Sequence, residues 1–400
     1  MKEVAVITSG FAPVPAVGGG AVEELTTILI KENENHEFYN FNIYTIADKR
    51  LDNLSFRHSR LIQIHVSKFE YYIEKVINSL IRRLKIKKSF TVYNVKLNRL
   101  LTKDVPKYEI IIDENLMDIV FKQSKIMQGK KIFLHLHNDL NTTSKTIEMA
   151  KVFNDLNATT LSVSNYIRES LISKSNYQEA KCKLLYNCID YNYYFAYQAA
   201  DAKSLRKKIN IDEKDFVFLF VGRLNEEKGI YELIKAFSKN KNPNIKLIIC
   251  GGTWGESFID NKFTRLLYST LGQQIVNTRF VGYVKPENLL DYYKLADCVV
   301  IPSSVQEPFG MVMLESGLFG KTIIATRSGG MPEILSDNSA IYVNLDYDLS
   351  NNLYKKMEWC YQNPEKSKLF GIKAREEILK KSQFDQKNYF DNFSSIIENS

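Results

Sequence analysis

Residues 307–315 read Glu307-Pro-Phe-Gly-Met-Val-Met-Leu-Glu315, and Ser328-Gly-Gly-Met-Pro-Glu-Ile-Leu335 follows closely. Two carboxylates stand eight residues apart, a spacing that on one continuous helix would put both on nearly the same face. The Pro and Gly between them indicate instead that Glu307 lies in a loop and Glu315 in the helix that follows. Such a loop presents Glu307 beside the backbone N–H groups of Gly310 and Met311 at a helix N-terminus. This arrangement suits a ligand that carries both hydroxyl and phosphate groups.

Short apolar runs typical of strands alternate with helical patterns along all 400 residues. This alternation predicts parallel sheets built from βαβ units, and the length predicts two domains. The predicted strands of the first half lie near residues 3–9, 39–46, 60–66, 109–113, 131–136 and 159–164. Those of the second half lie near 183–187, 216–222, 245–250, 278–282, 297–301, 321–326 and 340–343. The predicted helices lie at 20–33, 69–88, 165–174, 228–239, 286–295, 312–319 and 365–380.

The composition is that of an ordinary soluble globular protein, with 44% apolar and 25% charged residues. No run of eighteen apolar residues occurs, so no transmembrane helix is expected. The opening residues read as a first strand rather than as a signal peptide, because their apolar run is too short. The five cysteines are scattered and contain no C-x-x-C pair, which indicates reduced thiols in a cytoplasmic protein.

Three further segments accompany the carboxylate pair: Val221-Gly-Arg-Leu-Asn-Glu-Glu-Lys-Gly229, Phe280-Val-Gly-Tyr-Val284 and Tyr292-Tyr-Lys-Leu-Ala-Asp-Cys-Val-Val-Ile-Pro-Ser303. In this order, over residues 182–335, they resemble the motifs of retaining GT-B glycosyltransferases of family 4, whose signature is E-x7-E. The resemblance implies an α/β protein of the GT-B fold, with two Rossmann-like, doubly wound parallel-sheet domains facing a deep cleft. It implies an acceptor-binding domain at 1–170, a donor-binding domain at 171–380 and a C-terminal helix at 381–400 that crosses back to the first domain.

The resemblance also assigns a donor site in the second half of the chain. Arg223 and Lys228 would neutralise a diphosphate, so that no metal and no cofactor are expected. Glu307 would contact hydroxyls of the donor sugar and Glu315 the ribose hydroxyls, since a carboxylate accepts two hydroxyl donors at once. The remaining predicted donor contacts are Val284, which would hold the base through its backbone, and Phe309, Gly310, Met311 and Val312. The alternative is plain surface chemistry, with Arg223 and Lys228 beside a helix cap and Glu315 serving a helix dipole.

In the first half, a Gly-rich loop at residues 18–20 separates a strand from a helix. It is similar to the glycine loop of family 4, which makes Gly19 and Gly20 candidates for contact with the donor diphosphate. His137 matches a family histidine near the donor sugar, with a role in positioning and proton handling; a structural histidine is the alternative. Strand alternation puts His135 and His137 on one face, which could suggest a metal pair. The sequence shows no third ligand beside them, so no metal site is predicted.

A basic segment at residues 66–104 carries ten Lys or Arg against three acidic residues. Within it, apolar residues at 72, 73, 76, 77, 80, 81 and 84 form a helical stripe bordered by basic residues. The pattern predicts an amphipathic helix over 69–88 in peripheral contact with an anionic membrane. The alternative is a core helix with a solvated basic rim. No nucleic-acid fold signature accompanies the charge, so no nucleic-acid partner is expected.

These features predict a retaining enzyme that moves a sugar from a nucleoside diphosphate sugar, UDP-linked before GDP-linked, to a hydroxyl acceptor. The acceptor would be a lipid-linked or surface-polysaccharide intermediate of a bacterium. The predicted location is cytoplasmic, with peripheral attachment at the inner face of the cell membrane. One alternative is a catalytically inactive GT-B module that binds a glycan or a protein partner. Another is a phosphorylase or epimerase on the same scaffold.

Overall fold

The computed structural model of the protein describes residues 1–18, 20–84, 90–140, 143–197, 202–252 and 261–400. The chain divides into two compact units. The first contains Met1–Tyr186 together with Tyr389–Ser400, and the second contains Asn187–Asn388. Within the described ranges, no helix combines the length and the apolarity needed to cross a bilayer.

The described residues of the first unit form a seven-stranded parallel sheet. Its strands are β1 (Lys2–Ile7), β2 (Tyr39–Ile46), β3 (Ser59–Ile64), β4 (Ile110–Glu114), β5 (Lys131–Leu136), β6 (Thr159–Ser162) and β7 (Cys182–Leu184). Every residue of the central strand β4 is buried, because both faces of a parallel sheet are covered. The spatial order is β3-β2-β1-β4-β5-β6-β7, so the direction of winding reverses between β1 and β4. In such sheets ligands bind where the carboxyl ends of the strands flank this reversal.

Helices connect these strands: α1 (Ala21–His36), α2 (Lys68–Arg83), α3 (Val92–Asp104), α4 (Met117–Lys122), α5 (Ser144–Asp155) and α6 (Asn165–Ser175). Four of them begin at a hydroxyl side chain that accepts a hydrogen bond from the first turn, as N-caps do. These capping residues are Ser67, Thr91, Thr143 and Ser164.

The described residues of the second unit form a six-stranded parallel sheet in the order β10-β9-β8-β11-β12-β13. Its strands are β8 (Phe216–Val221), β9 (Ile245–Cys250), β10 (Thr278–Gly282), β11 (Cys298–Ile301), β12 (Thr322–Thr326) and β13 (Ile341–Val343). Aromatic and branched side chains of β8 and β9 form the centre of a buried cluster that extends to the surrounding helices. Here the winding reverses between β8 and β11.

The helices of this unit are α7 (Tyr191–Ala196), α8 (Ala202–Lys208), α9 (Ile230–Phe237), α10 (Lys262–Leu271), α11 (Pro286–Leu295), α12 (Met311–Leu318), α13 (Met331–Ile334), α14 (Leu349–Gln362) and α15 (Pro364–Leu379). Proline occupies the first turn of α11, α13 and α15, where its missing N–H would have no intrahelical partner.

The last helix, α16 (Gln386–Glu398), returns the chain to the first unit. Its rings Phe390 and Phe393 are buried and lie within about 6.5 Å of the Tyr39 ring at the start of β2. The Tyr39 hydroxyl donates to Glu398 at 3.2 Å. The aromatic spacing near the C-terminus therefore corresponds to one apolar helix face packed on the first sheet.

Two sequence predictions need correction. The strand predicted at 183–187 does not open the second sheet; as β7, Cys182–Leu184, it pairs with β6 at the edge of the first sheet. The first unit accordingly extends to Tyr186, beyond the predicted boundary at 170. Several helices, α3, α5, α10 and α14 among them, were not predicted. The predicted strands and helices otherwise agree with the structure to within a few residues, and residues 85–88 of the predicted helix 69–88 lie outside the described ranges.

Candidate functional site

The loop after β8 places two basic residues at the carboxyl edge of the second sheet. Arg223 is exposed, two residues beyond the strand. The Asn225 side chain accepts a 3.1 Å hydrogen bond from the Lys228 backbone N–H and so caps a short 3₁₀ turn over Glu226–Lys228. This cap sets the position of Lys228 relative to the strand end.

Lys228 forms an ion pair with Glu307, from the loop that follows β11. Its ammonium lies 2.8 Å from Oε1 and 2.7 Å from Oε2 of the carboxylate. The Ser303 hydroxyl donates to the same Oε2 at 3.0 Å. The Lys228 side chain is 29% exposed and that of Glu307 is 15% exposed, so the pair is largely withdrawn from water. Because β8 and β11 are the neighbours at which the winding reverses, the pair lies where ligands bind in such sheets.

Two glycines let these loops approach each other closely. Gly229 has φ +66°, and a Cβ at this position would lie 1.7 Å from the Pro302 carbonyl oxygen. Gly329 has φ +51°, and its Cβ would lie 1.9 Å from the Glu307 carbonyl oxygen. That oxygen instead accepts a 2.8 Å hydrogen bond from the Gly330 N–H. Gly229 and the Ser328-Gly-Gly330 turn therefore position the backbone segments that carry Lys228 and Glu307.

Glu315 lies in α12 and Glu307 in the loop before it, as the Pro and Gly between them predicted. The fully buried Tyr293 donates its hydroxyl to Glu315 Oε2 at 2.5 Å. Burial raises the pKa of Glu315 to about 7, against the effect of the Tyr293 hydrogen bond, which lowers it. A carboxylate of this kind accepts hydroxyl donors when ionised and becomes a donor when protonated.

The remaining residues of this unit that were predicted to contact the donor substrate differ in their exposure. Gly310 is the N-cap of α12 at φ +117°, and Met311 and Val312 in the first turn are partly exposed. Val284 is partly exposed just after β10. The Phe309 ring, in contrast, is buried edge-on against Phe384, so only its backbone is available to a ligand.

In the first unit, His137 lies just beyond β5 and contacts Glu114 at the end of β4. His137 Nε2 is 2.9 Å from Glu114 Oε2, and His135 Nδ1 is 3.0 Å from the same oxygen. The parallel register places Glu114 opposite His135, and His137 follows two residues later. The two rings lie on one side of the strand, with centroids 4.0 Å apart, as alternation predicted.

All three side chains are buried, and the pKa values of Glu114 and His137 are both lowered. Although burial raises the pKa of Glu114, the two histidines outweigh it and hold that pKa at about 2. Burial and the neighbouring His135 lower the pKa of His137 to about 4. Glu114 is therefore ionised and His137 neutral at neutral pH.

His135 and His137 do have a third possible ligand beside them, so the prediction that they have none is wrong. Among the described residues, Glu114, His135 and His137 form a group whose ligand atoms all lie within 4.8 Å of one another, close enough to hold a metal ion. Glu114 was missed because it is 21 residues from His135 in the chain. The signal that could have revealed it is the Asp-Glu-Asn sequence after the apolar run of β4, since the carboxyl ends of neighbouring parallel strands share one edge.

The glycine loop ends in the same region of the first sheet as Glu114. Gly20, at φ +121°, precedes α1, and a Cβ there would lie 2.3 Å from a Glu23 carboxylate oxygen. Burial raises the pKa of Glu23, and the charge of Glu114 adds to that effect. Gly20, Glu23 and Glu114 thus belong to one region of the first unit. Gly19 lies outside the described residues.

Residues 201–377 match the family model described as Glycosyl transferases group 1. Over 408 aligned residues the chain is 23% identical to spore coat protein SA of Bacillus subtilis, and the match covers 99% of each protein. It is 28% identical to the lipopolysaccharide 1,2-N-acetylglucosaminetransferase of Salmonella typhimurium over 49% of this chain and 54% of that enzyme. The crystal structure of Anabaena HepE with UDP and glucose superposes with a TM-score of 0.75, at 18% identity and complete coverage of both chains.

Proposed function

We propose that the chain, which has the GT-B fold, is a glycosyltransferase and specifically a retaining enzyme of family 4. Its donor is a nucleoside diphosphate sugar, UDP-linked before GDP-linked. Its acceptor is a hydroxyl group on a lipid-linked or surface-polysaccharide intermediate of a bacterium. The observation that carries this proposal is the Lys228–Glu307 ion pair at the reversal point of the second sheet, with Arg223 exposed in the same loop as Lys228.

Each of these groups suits one part of a nucleotide sugar. Arg223 and Lys228 offer a bidentate fork and a point charge to a diphosphate. Glu307, already held by Lys228 and Ser303, offers acceptors for sugar hydroxyls. Glu315 does the same for ribose hydroxyls when it is ionised. HepE was crystallised with UDP and with UDP-glucose, which favours uracil over guanine for the donor of this chain.

The proposed reaction is a front-face displacement with retention. The bond from the anomeric carbon to the diphosphate oxygen breaks, and the acceptor oxygen bonds to that carbon on the same face. The departing diphosphate oxygen takes the proton of the acceptor hydroxyl. Arg223 and Lys228 stabilise the charge that develops on the diphosphate, so catalysis consists of positioning and charge stabilisation without a metal.

Thermal unfolding of the full chain with a panel of nucleotides tests the donor site. UDP, GDP, ADP, UMP and the UDP- and GDP-sugars would each be added in the presence of EDTA. A ligand at about 100 times its Kd stabilises the native state by about 2.7 kcal/mol. The Arg223→Ala variant should lose this shift, whereas Lys241→Ala should retain it, because Lys241 is an exposed lysine in the loop before β9, away from the strand ends that carry the site.

The outcomes separate the competing functions. No shift with any nucleotide would favour the inactive binding module over the enzyme. Conversion of a donor without an acceptor would indicate an epimerase, and dependence on inorganic phosphate would indicate a phosphorylase. For a transferred sugar, the NMR coupling of the anomeric proton distinguishes retention from inversion, and an inverted product would refute the retaining mechanism.

We further propose that α2 attaches the enzyme to an anionic membrane at the inner face of the cell membrane. No residue of α2 is buried, which contradicts the alternative of a core helix. Large apolar side chains point outward at helical spacing, with Phe69 71% and Tyr72 66% exposed; the others are Ile73, Val76 and Leu80. Lys68, Lys75 and Arg82 are seven residues apart and thus line one flank of this apolar face.

The opposite face of α2 is polar and contacts the rest of the first unit. Glu74 accepts from the Val92 N–H at 2.8 Å, and Asn78 exchanges two hydrogen bonds with the Phe90 backbone. Glu70 forms an ion pair with Lys96. A helix that docks through polar groups and leaves its apolar face outside is the reverse of a globular surface helix. The basic flank makes an anionic lipid surface the matching partner.

Flotation of the protein with phosphatidylglycerol vesicles tests this attachment against phosphatidylcholine vesicles. Each cation near the surface contributes about 1 kcal/mol, so Lys75→Ala and Arg82→Ala should each weaken anionic binding about fivefold. Leu80→Ser should weaken it as well, whereas Leu369→Ser, at an exposed leucine of α15, should not. Equal binding to both vesicle types, or no effect of the α2 substitutions, would refute the proposal.

A further inference from the structure

Two neighbouring strands of the first unit bring three metal-binding side chains together. The parallel register pairs Glu114 at the end of β4 with His135 on β5, and His137 follows two residues later on the same side. All three are buried, and one ligand atom from each lies within 4.8 Å of the others. Because the ends of packed strands carry these side chains, the group is held in place by the sheet.

His135 is the member of this group whose surroundings do not account for it. Its Nδ1 lies 3.0 Å from Glu114 Oε2, yet the contact lacks hydrogen-bond geometry. Among the described residues, neither buried ring nitrogen of His135 has a hydrogen-bond partner. Buried polar groups in native proteins nearly always have a partner, whether a protein group, a water molecule or an ion. A cation shared by His135 and Glu114 would provide the missing partner.

The separations between the ligand atoms fit a small cation after a slight rearrangement. Two nitrogens approach the same Glu114 Oε2, with His137 Nε2 at 2.9 Å and His135 Nδ1 at 3.0 Å. Zinc bonds of about 2.0–2.2 Å in a tetrahedral arrangement put neighbouring ligand atoms about 3.4 Å apart. Each contact therefore has to open by about 0.5 Å, which small rotations of the side chains achieve.

The chemistry of the three ligands selects the class of metal. Two imidazoles and one carboxylate suit zinc and ferrous iron, whereas magnesium and calcium prefer oxygen ligands alone. Sites of this kind bind zinc more tightly than ferrous iron. Three protein ligands also leave one position of a tetrahedral zinc ion open, as in catalytic zinc sites and unlike closed structural ones.

The charges around Glu114 also favour a cation. Glu23 on α1 and Asp113 on β4 are buried, and both interact electrostatically with Glu114. Carboxyl groups gathered in a buried region repel one another unless protons or a cation compensate them. A divalent ion bound to Glu114 would supply that compensation.

We propose that Glu114, His135 and His137 form a zinc site whose fourth coordination position is open to water or to an oxygen atom of a ligand. All of its protein ligands belong to the first unit, and the proposal does not depend on the transfer reaction. The proposed diphosphate contacts, Arg223 and Lys228, belong to the second unit. Departure of the diphosphate without a metal is therefore compatible with a zinc ion bound to the first unit.

Metal analysis of the full chain tests this site without reference to activity. Protein treated with EDTA, incubated with excess zinc and desalted should retain one zinc ion per chain, whereas magnesium or calcium supplied in the same way should be lost. His135→Ala and His137→Ala should each weaken zinc binding by more than about 100-fold, because loss of a ligand costs more than loss of an orienting partner. His65→Ala, at an exposed histidine just after β3, should retain zinc as the native protein does.

Exchange of His135 for a thiol distinguishes a metal ligand from a structural histidine. Cysteine binds both zinc and cobalt, so His135→Cys should keep the site. With cobalt in place of zinc, this variant should gain the near-ultraviolet absorption of a thiolate–cobalt bond. The native protein should lack that absorption, because its five buried cysteines are not among the proposed ligands. This gain of signal remains a test even where the alanine variants do not fold.

Three results would overturn the proposal. The first is native protein that retains no zinc. The second is equal retention by His135→Ala, which would place the bound zinc elsewhere in the chain. The third is cobalt binding by His135→Cys without thiolate absorption, which would show that residue 135 is not a ligand. Since none of these measurements involves turnover, a failure of the proposed transfer reaction would be recognised separately.

Discussion

Removal of the Lys228 ammonium should destabilise the second unit and abolish donor binding. In Lys228→Ala the Glu307 carboxylate, 15% exposed, loses both ammonium contacts and keeps the Ser303 hydroxyl. Breaking a fully buried pair costs about 3–5 kcal/mol and breaking an exposed one about 0–1 kcal/mol. Because Lys228 is 29% exposed and one hydroxyl partner remains, we expect a loss of about 2 kcal/mol, between these limits. For a unit of this size that corresponds to a fall in Tm of about 4–8 °C.

The cause of this loss can be separated from a general effect of truncation. If the loss comes from the unpaired carboxylate, the double variant Lys228→Ala/Glu307→Gln should be more stable than Lys228→Ala alone. Lys145→Ala serves as the control, because Lys145 pairs with Asp118 at 2.6 Å while both side chains are about half exposed, at 48% and 47%, and no measurable change is expected there. Thermal unfolding of the four proteins in one buffer measures the differences. A Tm for Lys228→Ala within 1 °C of the native value, or no recovery in the double variant, would refute the reasoning.

Two further predictions concern the same unit. The pKa of Glu315 rises from about 4.5 to about 7 on folding, so the folded state binds more protons than the unfolded state between these pH values. The contribution of Glu315 to the free energy of unfolding therefore falls as pH rises through this range. Affinity for UDP, measured by calorimetry, should rise between pH 6 and 8 as Glu315 ionises, and Tyr293→Phe should move this rise to higher pH; an unchanged midpoint would contradict the hydrogen bond. Gly229→Ala should lower Tm more than Gly282→Ala, because both have positive φ but only at Gly229 would the new methyl group meet backbone, the Pro302 carbonyl; equal losses would show that the close approach is absent.

The loop motifs of the second unit could be read from the sequence because they depend on local signals. Gly229 and the Ser328-Gly-Gly330 turn stand at positions of positive φ or close backbone approach, which few other residues tolerate. The Pro-Phe-Gly sequence separated the loop position of Glu307 from the helical position of Glu315. Apolar runs with strand or helix periodicity gave nearly every strand to within a few residues. Strand β7 was assigned to the wrong sheet because pairing partners leave no mark within a three-residue strand.

Two parallel-sheet units, and the residue types gathered at the ends of their strands, could be inferred from residue patterns alone, since both follow from patterns a few residues long. Which of those residues meet depends on the folded structure. Lys228 and Glu307 are 79 residues apart, Glu114 and His137 are 23 apart, and Tyr293 and Glu315 are 22 apart. The order and register of parallel strands bring each pair together, and a hydrogen-bond ladder between distant strands has no local signature. The outward orientation of the apolar face of α2 likewise could not be read from the sequence. Periodicity defines an apolar stripe but does not define which side of the helix packs on the domain.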